Sequence, residues 1–179
     1  MVKLPTHTQC MELLDEHDVP DRVRKHSFAV NKVAVFLAKK LKEKGIKIDV
    51  KLVDRASLLH DLDKMKTLHT GNHGEETYRI LSEKGFERVG YVAKKHFIQD
   101  MADKELTFEG KVLNYSDKRC QEDVIVPLKE RFEYARKRYS SHVNEKFLKG
   151  EKAMYEFEEE IFRKIGLDPA KLGDYIEAG

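Results

Sequence analysis

Six residues of this chain combine metal-binding chemistry with spacings that aim them inward: His26, His60, Asp61, His73, His96 and Asp117. His60 and Asp61 are adjacent in Leu-Leu-His-Asp-Leu-Asp-Lys, at the end of an apolar run. His26 precedes Val30 by four residues and Val33 by seven, the spacing of one helix face. His60 follows Ala56 and Val53 by the same intervals, and His96 follows Val92 and Val89. Asp117 follows Leu113 by four, and His73 falls in a first helical turn, where its side chain can reach past the helix end. A lone histidine on an apolar stripe is ordinarily a hydrogen-bonded core residue. Several aimed at one core, with carboxylates, call for a compensating partner, because each buried polar group left unpaired costs on the order of 1–3 kcal/mol. A metal ion is the simplest such partner.

Neutral imidazole nitrogen and carboxylate oxygen suit iron, manganese, zinc and related divalent ions. Asp61 has two oxygens and can bridge two ions. Ions about 3.5–4 Å apart can hold both the attacking and the leaving oxygen of a phosphate, and a bound ion lowers the pKa of water. His7, His17 and His142 have no such support and read as surface residues, while His69 sits in a loop beside the site.

The elements that must position these residues are helical almost throughout. Thr6 or Thr8 caps a short helix to about His17, and Asp18 and Pro20 open a long one to about Lys44. Asp49 caps a helix ending near Asp63, and Lys64 to Gly71 reads as a loop. Asn72 and Glu75 form a capping-box pattern for a helix to Gly85. Helices follow over about Phe86–Phe97 and Thr107–Cys120, separated by a polar loop at Gln99–Glu105. Further helices run over about Pro127–Tyr139 and Ser141–Lys164, the latter with a break expected at Gly150, and Asp168-Pro169 starts a last short one. Only Glu122 to Val126 hints at extended structure. The fold class is all-α. One domain is expected over 1–179, with a metal-binding core at 20–120 and a C-terminal helical extension at 121–179.

Composition agrees with such a domain: 179 residues, 40% hydrophobic and 37% charged, enough for one sizeable core under a charged surface. A net charge of +2 is too small to argue for nucleic acid. No apolar run approaches the roughly 20 residues that span a bilayer, and the N-terminal Met-Val-Lys-Leu-Pro-Thr-His shows no apolar export core. Cys10 and Cys120 form no spaced framework and read as free thiols in a reducing cytoplasm. Cys120 packs beneath Asp117 in this reading, and Lys118 or Arg119 can reach the mouth of the site. Lys129–Tyr139 interleaves basic residues with Phe132, Tyr134 and Tyr139, a pattern that can bind single-stranded nucleic acid. An amphipathic helix with a solvated basic face accounts for it more simply.

The order of His26 in Arg-Lys-His-Ser-Phe-Ala-Val, His60-Asp61, and Asp117 in Val-Leu-Asn-Tyr-Ser-Asp-Lys resembles the HD-domain superfamily of metal-dependent phosphohydrolases. His73-Gly74 and His96 in Val-Ala-Lys-Lys-His-Phe extend the likeness to members with two metals, closest in ligand pattern to the HD proteins that cleave diadenosine tetraphosphate. The resemblance implies His26, His60, Asp61 and Asp117 around one ion and Asp61, His73 and His96 around another. HD-GYP cyclic-dinucleotide phosphodiesterases share the plan, but their Gly-Tyr-Pro signature is absent, since Phe97 follows His96. Lys64 stands where many members carry a lysine, and Arg22 lies one turn before His26 in a region where members often have an arginine. Both are candidate phosphate contacts. Asp63 departs from the pattern: it either repels phosphate or partners a ligand histidine.

The function expected is hydrolysis of a phosphate ester or anhydride, in a nucleotide or related small molecule, by metal-bound hydroxide. Asp61 and Lys64 carry the chemistry, and Lys64 and Arg22 contact substrate. The cofactors are divalent ions, two in number, with iron or manganese ahead of zinc, cobalt or magnesium. The contrasting reading is a non-catalytic metal-binding regulatory module. The expected partner is a small phosphorylated molecule, with a homodimer left open, no membrane and nucleic acid disfavoured.

Overall fold

The computed structural model describes residues 3–178; Met1, Val2 and Gly179, the outermost residues of the expected 1–179 domain, lie outside them. The long helix α2 (Asp21–Glu43) buries Val23, Val30, Val33, Ala34, Leu37 and Leu41 along one stripe. Its main partners are α3 (Val50–Leu59) and α7 (Phe108–Lys118). Helix α6 (Glu87–Lys94) packs on α3 and pairs with α5 (Glu75–Glu83). The short α1 (His7–Glu16) covers α3 and is closed by a Thr6–Gln9 capping box. Local side chains set most helix starts: Asp49 accepts from Leu52 N, and Thr107 accepts from Gly110 N.

Four expectations change. Lys64–Thr67 is not loop but a helical turn, α4, because the Asp63 carbonyl accepts from both Lys66 N and Thr67 N. Gln99–Glu105 is not wholly loop: a 3-10 turn over Ile98–Ala102 buries Ile98 and Met101 three residues apart. The capping box expected at Asn72 and Glu75 does not form; α5 begins after Gly74 without a local side-chain cap. Gly150 does not interrupt its helix: α9 (Glu145–Ile165) is continuous. That glycine faces the 3-10 turn, where an added Cβ would stand 2.1 Å from the Ile98 carbonyl oxygen. The turn following His96 is thereby pinned beneath α9.

The hint of extended structure becomes a two-stranded antiparallel hairpin, β1 (Cys120–Gln121) with β2 (Val124–Ile125), Cys120 opposite Ile125. Helix α8 (Leu128–Arg138) buries Leu128, Phe132 and Ala135 and leaves Lys129, Arg136, Lys137 and Arg138 exposed. After a 3-10 turn at Pro169–Lys171, α10 (Leu172–Glu177) returns Leu172 to the core. Apolar residues from Cys10 to Leu172 form one buried cluster. Among the described residues no helix is long and apolar enough to cross a membrane.

Candidate metal centre

Two of the six expected ligands lie within helices, His26 on α2 and Asp117 on α7; the other four lie at or beyond helix ends. His60 caps α3, and its Nδ1 donates to the Ser57 carbonyl at 2.8 Å. His96 lies two residues beyond α6, and its Nδ1 donates to the Ala93 carbonyl at 2.7 Å. In both cases the imidazole takes the carbonyl that the next helical N–H would have used. The helix expected to reach Phe97 therefore stops at Lys94. His73 precedes α5, and its Nδ1 donates to Asp63 Oδ1 at 2.6 Å. His26 Nδ1 donates to the Glu122 carbonyl, in the hairpin turn, at 2.6 Å.

All four rings thus have Nδ1 on an oxygen that can only accept, so each carries its hydrogen there and, when neutral, aims an Nε2 lone pair at the centre. The Nε2 atoms of His73 and His96 stand 3.0 Å apart. His60 Nε2 is buried with no hydrogen-bond partner among the described residues. Asp61 faces both sides of the cluster. Its Oδ1 lies 3.1 Å from His73 Nε2 and 3.7 Å from His96 Nε2. Its Oδ2 lies 3.6 Å from His60 Nε2 and 3.9 Å from His26 Nε2. Asp117 Oδ1 is 3.0 Å from His26 Nε2 and 3.9 Å from His60 Nε2. Two groups result, His26–His60–Asp117 and Asp61–His73–His96, each with ligand atoms within 4.8 Å of one another. The orphaned His60 Nε2, and the Nε2 atoms of His73 and His96 converging beside Asp61, form a set of donors that a cation among them would satisfy, so the donor set fits divalent ions.

The electrostatics agree. Burial alone would raise the Asp61 carboxyl, but His60, His73 and Lys64 hold it well below the usual carboxylate range. Asp117 is likewise held low against its burial by Lys118 and His26. Burial, with His60 adding, pushes His96 down to about 3, and burial lowers His60 too. Both rings are neutral, as ligands must be. His73 goes the other way: despite burial, its bonds to Asp61 and Asp63 raise it to about 9. In the metal-free chain a proton on His73 Nε2 stands where a cation would.

Asp63 is turned away from the open side of the centre. Its side chain is fully buried, and Oδ2 accepts from Gly74 N at 2.7 Å and Thr77 N at 3.1 Å. It therefore caps α5 in place of the absent capping box while its other oxygen orients His73. Gly74 is required there: its φ is +85°, and an added Cβ would stand 2.8 Å from the Lys94 carbonyl oxygen.

Lys64 Nζ bonds Asp61 Oδ2 at 2.5 Å. Lys118 bonds Asp117 Oδ2 and the His96 carbonyl, the latter at 2.8 Å. Arg119 turns the opposite way, into a buried network with Tyr115, Glu158 and the Val126 and Pro169 carbonyls. Arg22 is exposed and makes no side-chain bond to the described residues of the cluster. Cys120 is buried in β1, its thiol pushed up to about 12 by burial and Asp117, so it stays protonated. His69 is exposed. Sequence reasoning missed the Glu122 carbonyl, which has no side-chain signature, and Phe97, whose ring stacks on His96 at 4.9 Å.

Comparison with known proteins fits this geometry. The model of the HD domain family matches residues 23–134. The match runs past the expected core limit at 120 and takes in the hairpin that holds His26. An uncharacterized protein of Methanocaldococcus jannaschii is 39% identical over 77 residues, covering 42% of this chain and 45% of that protein. The match thus spans less than half of that relative's length. No solved structure matches the chain. HD domains bind divalent metals and are characteristic of metal-dependent phosphohydrolases. With its His-Asp pair at the centre of the cluster and the family model spanning most of its helices, the chain belongs to the HD domain family.

Proposed function

We propose that this chain is a metal-dependent phosphohydrolase cleaving a phosphate ester or anhydride in a nucleotide or related small molecule. The observation that carries the reading is the common orientation of the four imidazoles. Each has its Nδ1 fixed by an oxygen acceptor, and each Nε2 faces a carboxylate oxygen or another Nε2. In this reading His26, His60, Asp117 and Asp61 would hold one divalent ion, and Asp61, His73 and His96 would hold the other, Asp61 offering one oxygen to each side. Bound there, such a pair supplies Lewis acidity and an activated water near neutral pH.

The chain's own residues do the rest. His60 and Asp61 are sealed from solvent, while the side chains of His73 and Lys64 are 23% and 39% exposed, which sets the open side of the centre at those two residues. A phosphate entering there meets Lys64 first, and its ammonium offsets charge building on the phosphoryl oxygens. Arg22, one turn before His26, is a second contact for a longer substrate. The rings of His96 and Phe97 wall the inner side. Dinucleoside polyphosphates come first among substrates, by likeness of the ligand pattern, followed by nucleoside monophosphates and alarmones.

The contrasting reading, a metal-binding module without turnover, drew its support from Asp63 as a charge repelling phosphate. That carboxylate is buried and engaged with three donors, so it gives the module no support. Phosphate release from a panel of these nucleotides with Mn²⁺, Fe²⁺, Co²⁺ and Mg²⁺ tests the proposal. Turnover with at least one metal is expected, abolished in H60A and D61A. No release with any metal would reject it.

A further inference from the structure

Two ammonium groups sit on the carboxylates at the heart of the cluster. Lys64, three residues after Asp61 at the start of α4, holds Asp61 Oδ2. Lys118, the last residue of α7, holds Asp117 Oδ2. They approach from different elements and do the same thing on the two aspartates that the proposed ligand set needs. A divalent ion competes with Lys64 for Asp61 Oδ2 and, taken up by Asp117 Oδ1, opposes the Lys118 ammonium on Oδ2 of the same carboxylate, so a cation entering the centre loosens both lysines. The neighbouring cations are not free to take their place: Lys95 pairs with Asp103 at 2.6 Å, and Arg119 is buried against Tyr115 and Glu158.

Charge then limits what binds. Once metal displaces the His73 proton and all four imidazoles are neutral, the carboxylates of Asp61, Asp63 and Asp117 against the ammoniums of Lys64 and Lys118 sum to one negative charge. Two divalent ions carry it to three positive. That excess suits a group with two negative charges and a free end for both lysines better than a singly charged diester with both ends blocked.

Resting on the phosphohydrolase reading above, we propose that Lys64 and Lys118 form a paired anion clamp. They neutralise Asp61 and Asp117 in the metal-free chain and turn onto the substrate's phosphate oxygens when metal is bound. The clamp selects a terminal phosphate dianion, either a monoester or the end of a polyphosphate, over an internal phosphodiester, and so moves nucleoside monophosphates and alarmones ahead of dinucleoside polyphosphates, whose phosphates are all internal.

The clamp makes an opposite-sign prediction that a structural role does not. In the whole 179-residue chain, K64Q and K118Q should bind Mn²⁺ as tightly as wild type or several-fold tighter, since a positive charge set against the metal is gone. The same variants, loaded with Mn²⁺, should bind inorganic phosphate at least about tenfold more weakly, the loss of one charge-assisted hydrogen bond. K118R keeps the charge and should keep phosphate binding. The loaded wild type should bind methyl phosphate well ahead of dimethyl phosphate, with the margin reduced in K64Q. Titration calorimetry with Mn²⁺ alone, then with each phosphate, reads all of these. K64Q alters a partly exposed side chain and carries the test if K118Q fails to fold. Weakened Mn²⁺ binding with unchanged phosphate affinity would overturn the clamp, as would equal binding of methyl and dimethyl phosphate. A wild-type chain that binds no Mn²⁺ would overturn the metal centre itself.

Discussion

Asp63 shows how one residue's meaning depends on where its oxygens go. In the sequence it stands two residues after Asp61 and one before Lys64, where a negative charge looks hostile to phosphate. In the fold, one oxygen fixes His73 and the other caps α5, so the departure from the family pattern replaces a cap that Asn72 and Glu75 do not form. D63A should leave Gly74 N, Thr77 N and His73 Nδ1 without acceptors and destabilise the chain by about 2–4 kcal/mol in denaturant melts. D63N keeps one accepting oxygen and should cost less, yet it cannot serve both the cap and His73. Its metal content should fall toward one ion per chain while most of the stability remains. A D63N chain with unchanged stability and unchanged metal content would show that His73 is held by something else. Five of the six candidate ligands were legible because a helical period put them on an apolar stripe or at a helix start, and Asp61 because it stands beside His60. Their Nδ1 acceptors were not, since three of the four are backbone carbonyls, invisible in residue types.

Among the elements, the hairpin is the smallest and the least expected to matter. Its turn residue Glu122 has φ +55°, a left-handed conformation costing a non-glycine residue about 1–2 kcal/mol, and it aims its carbonyl at His26 Nδ1. E122G should keep the turn and stabilise the chain by up to about 1 kcal/mol, with metal affinity unchanged. E122P, whose ring fixes φ near −65°, cannot hold that carbonyl in place and should weaken metal binding at the His26 side. Equal metal affinity in E122G and E122P, by titration calorimetry, would remove the hairpin from the account. The helix start at Asp49 was readable from its capping residue, and the first helix start from Thr6 or Thr8, of which Thr6 is the cap. The ends at Leu59 and Lys94 were not, because they are set by the imidazoles of His60 and His96 taking helix carbonyls. Gly150 looked like a break because sequence registers its helix propensity and not the Ile98 carbonyl packed against it.

At the scale of the molecule, the all-α class was plain because the 3.6-residue period runs nearly unbroken from α1 to α9. What the period could not give was the convergence itself: α2, α3, α5, α6 and α7 bring or border donors that meet at one point, although the donors span residues 26 to 117. The C-terminal helices also join the core more closely than an appended layer would. Helix α9 packs on the turn after His96, and the Arg119–Tyr115–Glu158 network ties it to the helix that carries Asp117. The central claim is that this convergence holds two ions, with Asp61 between them. Metal analysis of the chain purified without chelator tests it most directly. The account predicts two divalent ions, iron or manganese, per wild-type chain and one in the H73A/H96A variant; a wild-type chain holding one ion, retained when His73 and His96 are both replaced, would contradict it.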